Sequence, residues 1–194
     1  MKIILASASP RRRELLSAVC GCFEIKTAQT DENLESSVHP RDGVEILAVR
    51  KGRAVLQTLD EASAAESVII SSDTLVELDG VPLGKPTDEQ NAKKMLRSLS
   101  GKRHNVHTGI AVHTGGRVFS GVATTGVYFR EMTCAEIEDY IACGEPMDKA
   151  GAYGIQGTGG KFVEKIEGDF DTVVGFSMRL LAELLQQAGV ELPR

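Results

Sequence analysis

The sequence predicts an α/β protein built on a long mixed β-sheet with flanking helices. Two observations point there. Short apolar runs that suit buried strands alternate with stretches of helical spacing through the first hundred residues. A long hairpin pattern then interrupts the alternation, which argues against a purely parallel sheet. No internal repeat and no linker divides the chain, so residues 1–194 are expected to form one domain. The 42% hydrophobic content is enough for a sizeable core.

Each element has its own signal. Lys2–Leu5 is a short apolar run before small residues and reads as a buried strand. Ser9 followed by Pro10 can start a helix that runs on through Glu14, Leu15 and Leu16. FEIKT (23–27) alternates as a strand does. From about Arg41 to Leu59, Val44, Leu47, Ala48, Val55 and Leu59 fall near helical spacing. EASAAES (61–67) reads as a surface turn or helix end. VII (68–70) is a strand that runs into SSDT. TDEQNAKKMLRSLSG (87–101) is a helix capped by Thr87 or Asp88 and stopped by Gly101. HNVHTGIAVHT and RVFSGVATTGVYFR flank Gly115-Gly116 and predict a hairpin. TCAEIEDYIACG (133–144) is a second capped helix with Gly144 at its stop. KFVEKIEG and TVVGF are expected as strands. SMRLLAELLQQAG closes the chain as an amphipathic helix.

Composition excludes several classes of function. The formal net charge is -5 and the pI is about 5.5. Non-specific binding to nucleic acid or anionic membrane is therefore not expected. Cys20, Cys22, Cys134 and Cys143 lack the spacing of zinc or redox motifs, and reduced thiols in a cytoplasmic protein are the expectation. The apolar run in MKIILASASP is too short for a signal-peptide core. No run approaches the roughly 20 apolar residues that span a bilayer.

ASASPRRREL (6–15) poses a puzzle. Three arginines stand at the start of a helix, where the macrodipole is already positive and cations are disfavoured. A bound polyphosphate resolves it. The helix N-terminus offers unpaired N–H groups, Ser7 and Ser9 add hydroxyls, and Arg11 and Arg12 add guanidinium forks that match phosphate oxygens. The competing reading is a serine cap with solvated arginines.

Other constellations carry weaker signals. Asp31 or Glu32 in QTDENL, with Asp73 just beyond a strand, could hold Mg²⁺, and Asp73 could instead activate a water. The competing reading makes DE surface loop and Asp73 a turn cap. Lys51 in VRKGRA and Lys85 in LGKP are each either solvated or phosphate-neutralising. MDKAGAYGIQGTGG (147–160) combines five glycines with Asp148, Lys149, Tyr153 and Gln156 in a defined order. Its glycines would let backbone approach a ligand, and the Gln156 amide can read a base edge because it both donates and accepts. A flexible loop or a tight strand corner is the alternative.

The ordered set ASASPRRREL, TDEN, RKGRA, SSDT, LGKP, HNVHTG and DKAGAYGIQG resembles the Maf family of nucleoside triphosphate pyrophosphatases over nearly the whole chain. The resemblance implies an inosine-triphosphatase-like fold, two lobes around a cleft. It also implies a divalent metal, Mg²⁺ or Mn²⁺, and homodimers. By motif, Asp73 is the catalytic base, and Arg12, Lys51 and Lys85 act with it. Ser7, Arg11, Thr74, Lys149 and Gln156 bind substrate, and Glu32 and Asp73 hold the metal. Members acting on 7-methylguanosine triphosphate have Ser-Glu in place of Ile-Gln and lack DKAGAY. DKAGAYGIQG resembles the branch acting on dTTP and UTP, with modified pyrimidine triphosphates as further substrates. A nucleotide-binding regulator of cell division with little turnover is the alternative; so full a carboxylate set argues against it. One departure is Gly52, where the family more often has alanine. Glycine there weakens a helix by roughly 0.5–1 kcal/mol.

Overall fold

The computed structural model describes residues 1–35 and 37–193. The strands are β1 (Lys2–Leu5), β2 (Glu24–Ile25), β3 (Ser67–Leu78), β4 (Val81–Leu83), β5 (Arg103–Thr114), β6 (Arg117–Phe129) and β7 (Val163–Glu167). They form a seven-stranded mixed sheet in the order β2-β1-β3-β5-β6-β7, with β4 paired to β3 off that path. The helices are α1 (Pro10–Ser17), α2 (Pro40–Leu56), α3 (Glu61–Glu66), α4 (Glu89–Leu99), α5 (Cys134–Ala142), α6 (Phe170–Val174) and α7 (Met178–Ala188). The chain divides into two compact units. One comprises Met1–Asp73, Thr108–Ala123 and Gly175–Arg194, and the other Thr74–His107 and Thr124–Val174.

In the first unit, β1 lies parallel between β2 and β3, with Ile4 opposite Glu24 and Ile69. Alternate side chains of a strand face opposite ways. Ile3 and Leu5 therefore join Leu16 of α1, Val68, Ile70 and Leu181 of α7 in one cluster. Ile4 and Ala6 join Ile69 and Val55 of α2 in another. Such two-sided burial explains why β1 reads as an unbroken apolar run. Gly109 serves this packing. A Cβ there would lie 2.6 Å from the Val44 carbonyl carbon and 2.9 Å from Glu45 N, so only glycine lets α2 settle on β5.

In the second unit, α4 and α5 supply Leu96, Leu99, Ile137 and Tyr140 to a core with Val76, Phe129, Tyr153 and Phe162. The caps match the sequence signals. Asp88 accepts from Asn91 N, and Thr133 and Glu136 form a reciprocal capping box. His107 is buried between strands, 2.8 Å from Glu77 Oε2 through Nε2 and 2.8 Å from Thr124 Oγ1 through Nδ1. HNVHTG is thus largely strand packing in this chain.

Three local expectations fail. FEIKT pairs only over Glu24–Ile25. The strand that starts at VII does not end before Asp73: β3 runs on to Leu78 and turns through Asp79 and Gly80, with φ of 53° and 81°, into β4. TVVGF is not a strand: Phe170–Val174 forms a helix, and Gly175 follows with φ 111°. The β-branched run misleads there because tertiary bonds decide. The Gly175 carbonyl accepts from Arg12 Nε at 2.9 Å and from Ser72 Oγ at 3.1 Å.

Candidate active site

The first unit gathers five of the expected residues. Ser7, in the turn between β1 and α1, is buried. Its Oγ accepts from Ser9 N at 3.3 Å and from Arg12 Nη1 at 3.2 Å. Ser9 occupies the N-cap position, yet its side chain makes no cap bond, contrary to the sequence reading. Arg12 also donates from Nη1 to Ser72 O at 2.8 Å. Burial, reinforced by Arg11, lowers the pKa of Arg12, while Asp73 and Glu32 act to raise it. The guanidinium is thus fixed to three parts of the unit beside two carboxylates.

Lys51 projects from α2 between those carboxylates. Its Nζ lies 2.5 Å from Asp73 Oδ1 and 2.7 Å from Glu32 Oε1. Burial alone would lower its pKa, but the Asp73 and Glu32 contacts outweigh burial and raise it. Two contacts hold α2 in place for this. Ser71 Oγ donates to Ala48 O at 2.7 Å, and Gly52 lets the helix lie against His113. A cavity of about 190 Å³ opens here, lined by Ser7, Arg12, Glu32 and Lys51 with Thr27 and Thr30. Both threonines escaped the sequence reading, since nothing in TAQT marks them. Asp31 points elsewhere: its Oδ1 accepts from Asn33 N and Nδ2 at 3.0 and 2.8 Å.

Arg11, half-buried in α1, also lies in the first unit, and the other expected residues belong to the second. Thr74 follows Asp73 in β3 and is half-buried, and Lys85 is exposed. The LGKP turn meets the glycine-rich stretch, because Gly151 N donates to Gly84 O at 3.0 Å. Lys149 Nζ donates to Glu145 O at 2.9 Å and lies 2.5 Å from Asp148 Oδ1. Gln156 is exposed, in the loop between two short 3₁₀ turns, Ala150–Ala152 and Thr158–Phe162.

A family model described as Maf-like protein matches residues 2–188. The chain belongs to the Maf-like proteins. Among curated relatives, a protein of Moorella thermoacetica named dTTP/UTP pyrophosphatase is 46% identical over 192 residues, covering 98% of this chain and 96% of its own. One of the same name from Desulfitobacterium hafniense is 45% identical over 98% of this chain and 86% of its own. The Staphylococcus aureus Ham1 structure superposes with a TM-score of 0.44 at 16% identity, over 66% of this chain and 72% of that one. That likeness is too loose to carry an argument. Among the described residues of this Maf-like chain, all four cysteines are free thiols and no helix is long and apolar enough to cross a membrane.

Proposed function

We propose that this Maf-like protein hydrolyses dTTP and UTP to the monophosphate and pyrophosphate, with modified pyrimidine triphosphates as further substrates. The observation that carries the reading is the Lys51 ammonium held between Asp73 and Glu32 beside the Ser7–Arg12 turn. A triphosphate carries close to four negative charges, so its hydrolysis is mostly positioning and charge stabilisation. Arg12 is already oriented by carbonyl oxygens where it lines the cavity. Lys51 can pass from the carboxylates to the phosphates, and Lys85 and Lys149 add positive charge by motif.

The donor set fits a divalent cation. Two hard carboxylates converge on one cationic point, and Mg²⁺ is usually bound through one or two carboxylates plus substrate phosphates. Glu32 and Asp73 would hold Mg²⁺ or Mn²⁺, which supplies charge neutralisation and a more acidic bound water. Asp73 orients the attacking water toward the α-phosphorus and takes its proton. The water oxygen bonds to phosphorus, the bond to the α–β bridging oxygen breaks, and pyrophosphate leaves. Gln156 reads the base. Uracil and thymine present two carbonyl acceptors flanking one N–H, which a glutamine amide can both donate to and accept from. Arg11 and Thr74 complete the base-side set by motif. The same reading makes residues 1–194 one catalytic domain acting in the cytoplasm as a homodimer.

Pyrophosphate release on a panel of dTTP, UTP, CTP, ATP and GTP tests the reading. The expected result is turnover on dTTP and UTP at least a hundredfold above the others. Equal turnover of a purine triphosphate would overturn the pyrimidine assignment, and no turnover of any would favour a regulator.

A further inference from the structure

We propose that Glu145 is a specificity-positioning residue, whose carboxylate together with the Tyr140 hydroxyl holds the Gly154–Gly159 loop in the shape that presents Gln156. The proposal rests on the pyrimidine-reading role given to Gln156 above. Glu145 begins the 3₁₀ turn Glu145–Asp148, just after Gly144 ends α5. Its Oε1 accepts from Tyr140 Oη at 2.8 Å and from Gly159 N at 3.3 Å. Its Oε2 accepts from Thr158 N at 2.9 Å. Tyr140 Oη in turn accepts from Gly154 N at 3.1 Å. One carboxylate and one hydroxyl thus capture three backbone amides that bracket Gln156 on both sides.

The loop's glycines follow from this cradle. A Cβ at Gly157 would lie 2.6 Å from Glu145 Oε2, one at Gly159 2.5 Å from Tyr140 Oη, and one at Gly154 2.8 Å from Lys149 Cε. The close approach that these glycines permit is therefore to the chain itself. Hydrogen bonds from backbone N–H to an ionised carboxylate are roughly twice as strong as neutral ones. The contacts to Thr158, Tyr140 and Gly159 hold the Glu145 carboxyl below its ordinary range, although burial alone would raise it. A glycine-rich loop without such a clamp samples many backbone shapes. An amide that must meet two groups of a base in one plane needs the loop to hold one.

Wild type, Glu145→Gln and Tyr140→Phe are compared in two measurements. Hydrogen exchange in the nucleotide-free protein reads the amides of Thr158 and Gly159. Specificity constants for dTTP, UTP and CTP read the preference. Glu145→Gln turns an N–H₂ toward amides that need an acceptor. We expect exchange there to accelerate and the dTTP-to-CTP ratio to fall at least tenfold, with Glu145→Asp recovering part of it. Tyr140→Phe keeps the ring in the core and should lower the ratio in the same direction, so it decides the matter if Glu145→Gln does not fold. Lost protection with an unchanged ratio, or an equal loss on every nucleotide, overturns the proposal. A wild type that does not prefer dTTP and UTP over CTP overturns the functional reading first, before any variant is made.

Discussion

Arg12 is where charge and hydrogen bonding predict opposite outcomes. Three adjacent arginines at the positive end of α1 repel one another and the helix dipole, a penalty of about 0.3–1 kcal/mol. By that argument Arg12→Ala should stabilise the free protein. The structure adds that Arg12 donates to Gly175 O and Ser72 O. Losing hydrogen bonds from a charged donor costs about 1.5–3 kcal/mol. The larger effect wins, so Arg12→Ala is expected to lower the urea midpoint by an amount equivalent to roughly 1–2 kcal/mol, with an unchanged slope, and to lower activity as well. An unchanged midpoint would mean that its charge alone matters. Gly52 poses a similar contest. Alanine there improves helix propensity by roughly 0.5–1 kcal/mol, but its Cβ would collide with His113 Nε2 and lie 2.7 Å from Ser71 Oγ. Overpacking costs about 1–3 kcal/mol. Gly52→Ala should therefore destabilise wild type, and do so less in a His113→Ala background, where only the Ser71 contact remains. An equal loss in both backgrounds would show that His113 does not fill the space.

Strand β5 carries a pH dependence. His104 is buried, its Nε2 2.8 Å from Tyr153 Oη and its ring edge-on to Phe129 at 4.9 Å. Burial, helped by the charge of Arg103, pulls its pKa down to about 4. The unfolded chain keeps the ordinary value near 6.5. Above about pH 6.5 neither state is protonated and stability does not depend on this group. As pH falls from about 6.5 toward about 4, the unfolded chain takes up a proton that the folded chain refuses, and stability falls by up to about 3 kcal/mol. His113, also lowered mainly by burial, acts in the same direction. Urea midpoints between pH 7 and 4.5 should fall less steeply in His104→Gln than in wild type. Parallel slopes would refute the assignment. The elements themselves were legible where local chemistry agrees with the fold. Asp88 and Thr133 cap α4 and α5, and Gly115-Gly116 turns β5 into β6, as the sequence indicates. TVVGF misled because its β-branched run is overridden by bonds to Gly175, made by residues more than a hundred positions away. The cradle on Glu145 was invisible because two of its three partners are backbone amides, which carry no residue identity.

At the scale of the molecule, the ion set of the first unit follows from charge balance. Serines, arginines and carboxylates in these motifs can be read from sequence, because a phosphate site needs those residue types. Their mutual geometry cannot, since Glu32, Lys51 and Asp73 meet only after β1, β3 and α2 have packed. Lys51 and Arg12 together offset the two carboxylates. A triphosphate entering beside them brings further negative charge, which Lys51 and Arg12 alone do not neutralise. Binding should therefore depend on a divalent cation even without turnover. A non-hydrolysable dUTP analogue at about a hundred times its Kd should stabilise the fold by about 2.7 kcal/mol. For a chain of this length that raises the melting temperature by roughly 5–10 °C. The shift should appear with Mn²⁺ or Mg²⁺ and shrink to a small fraction in excess chelator. Asp73→Asn and Glu32→Gln should each weaken the metal-dependent part, while the shift seen in chelator should not fall, because each removes a negative charge beside the phosphates and frees Lys51. An equal shift with and without metal would remove the cation from these two carboxylates and leave Lys51 and Arg12 as the groups that balance the substrate's charge.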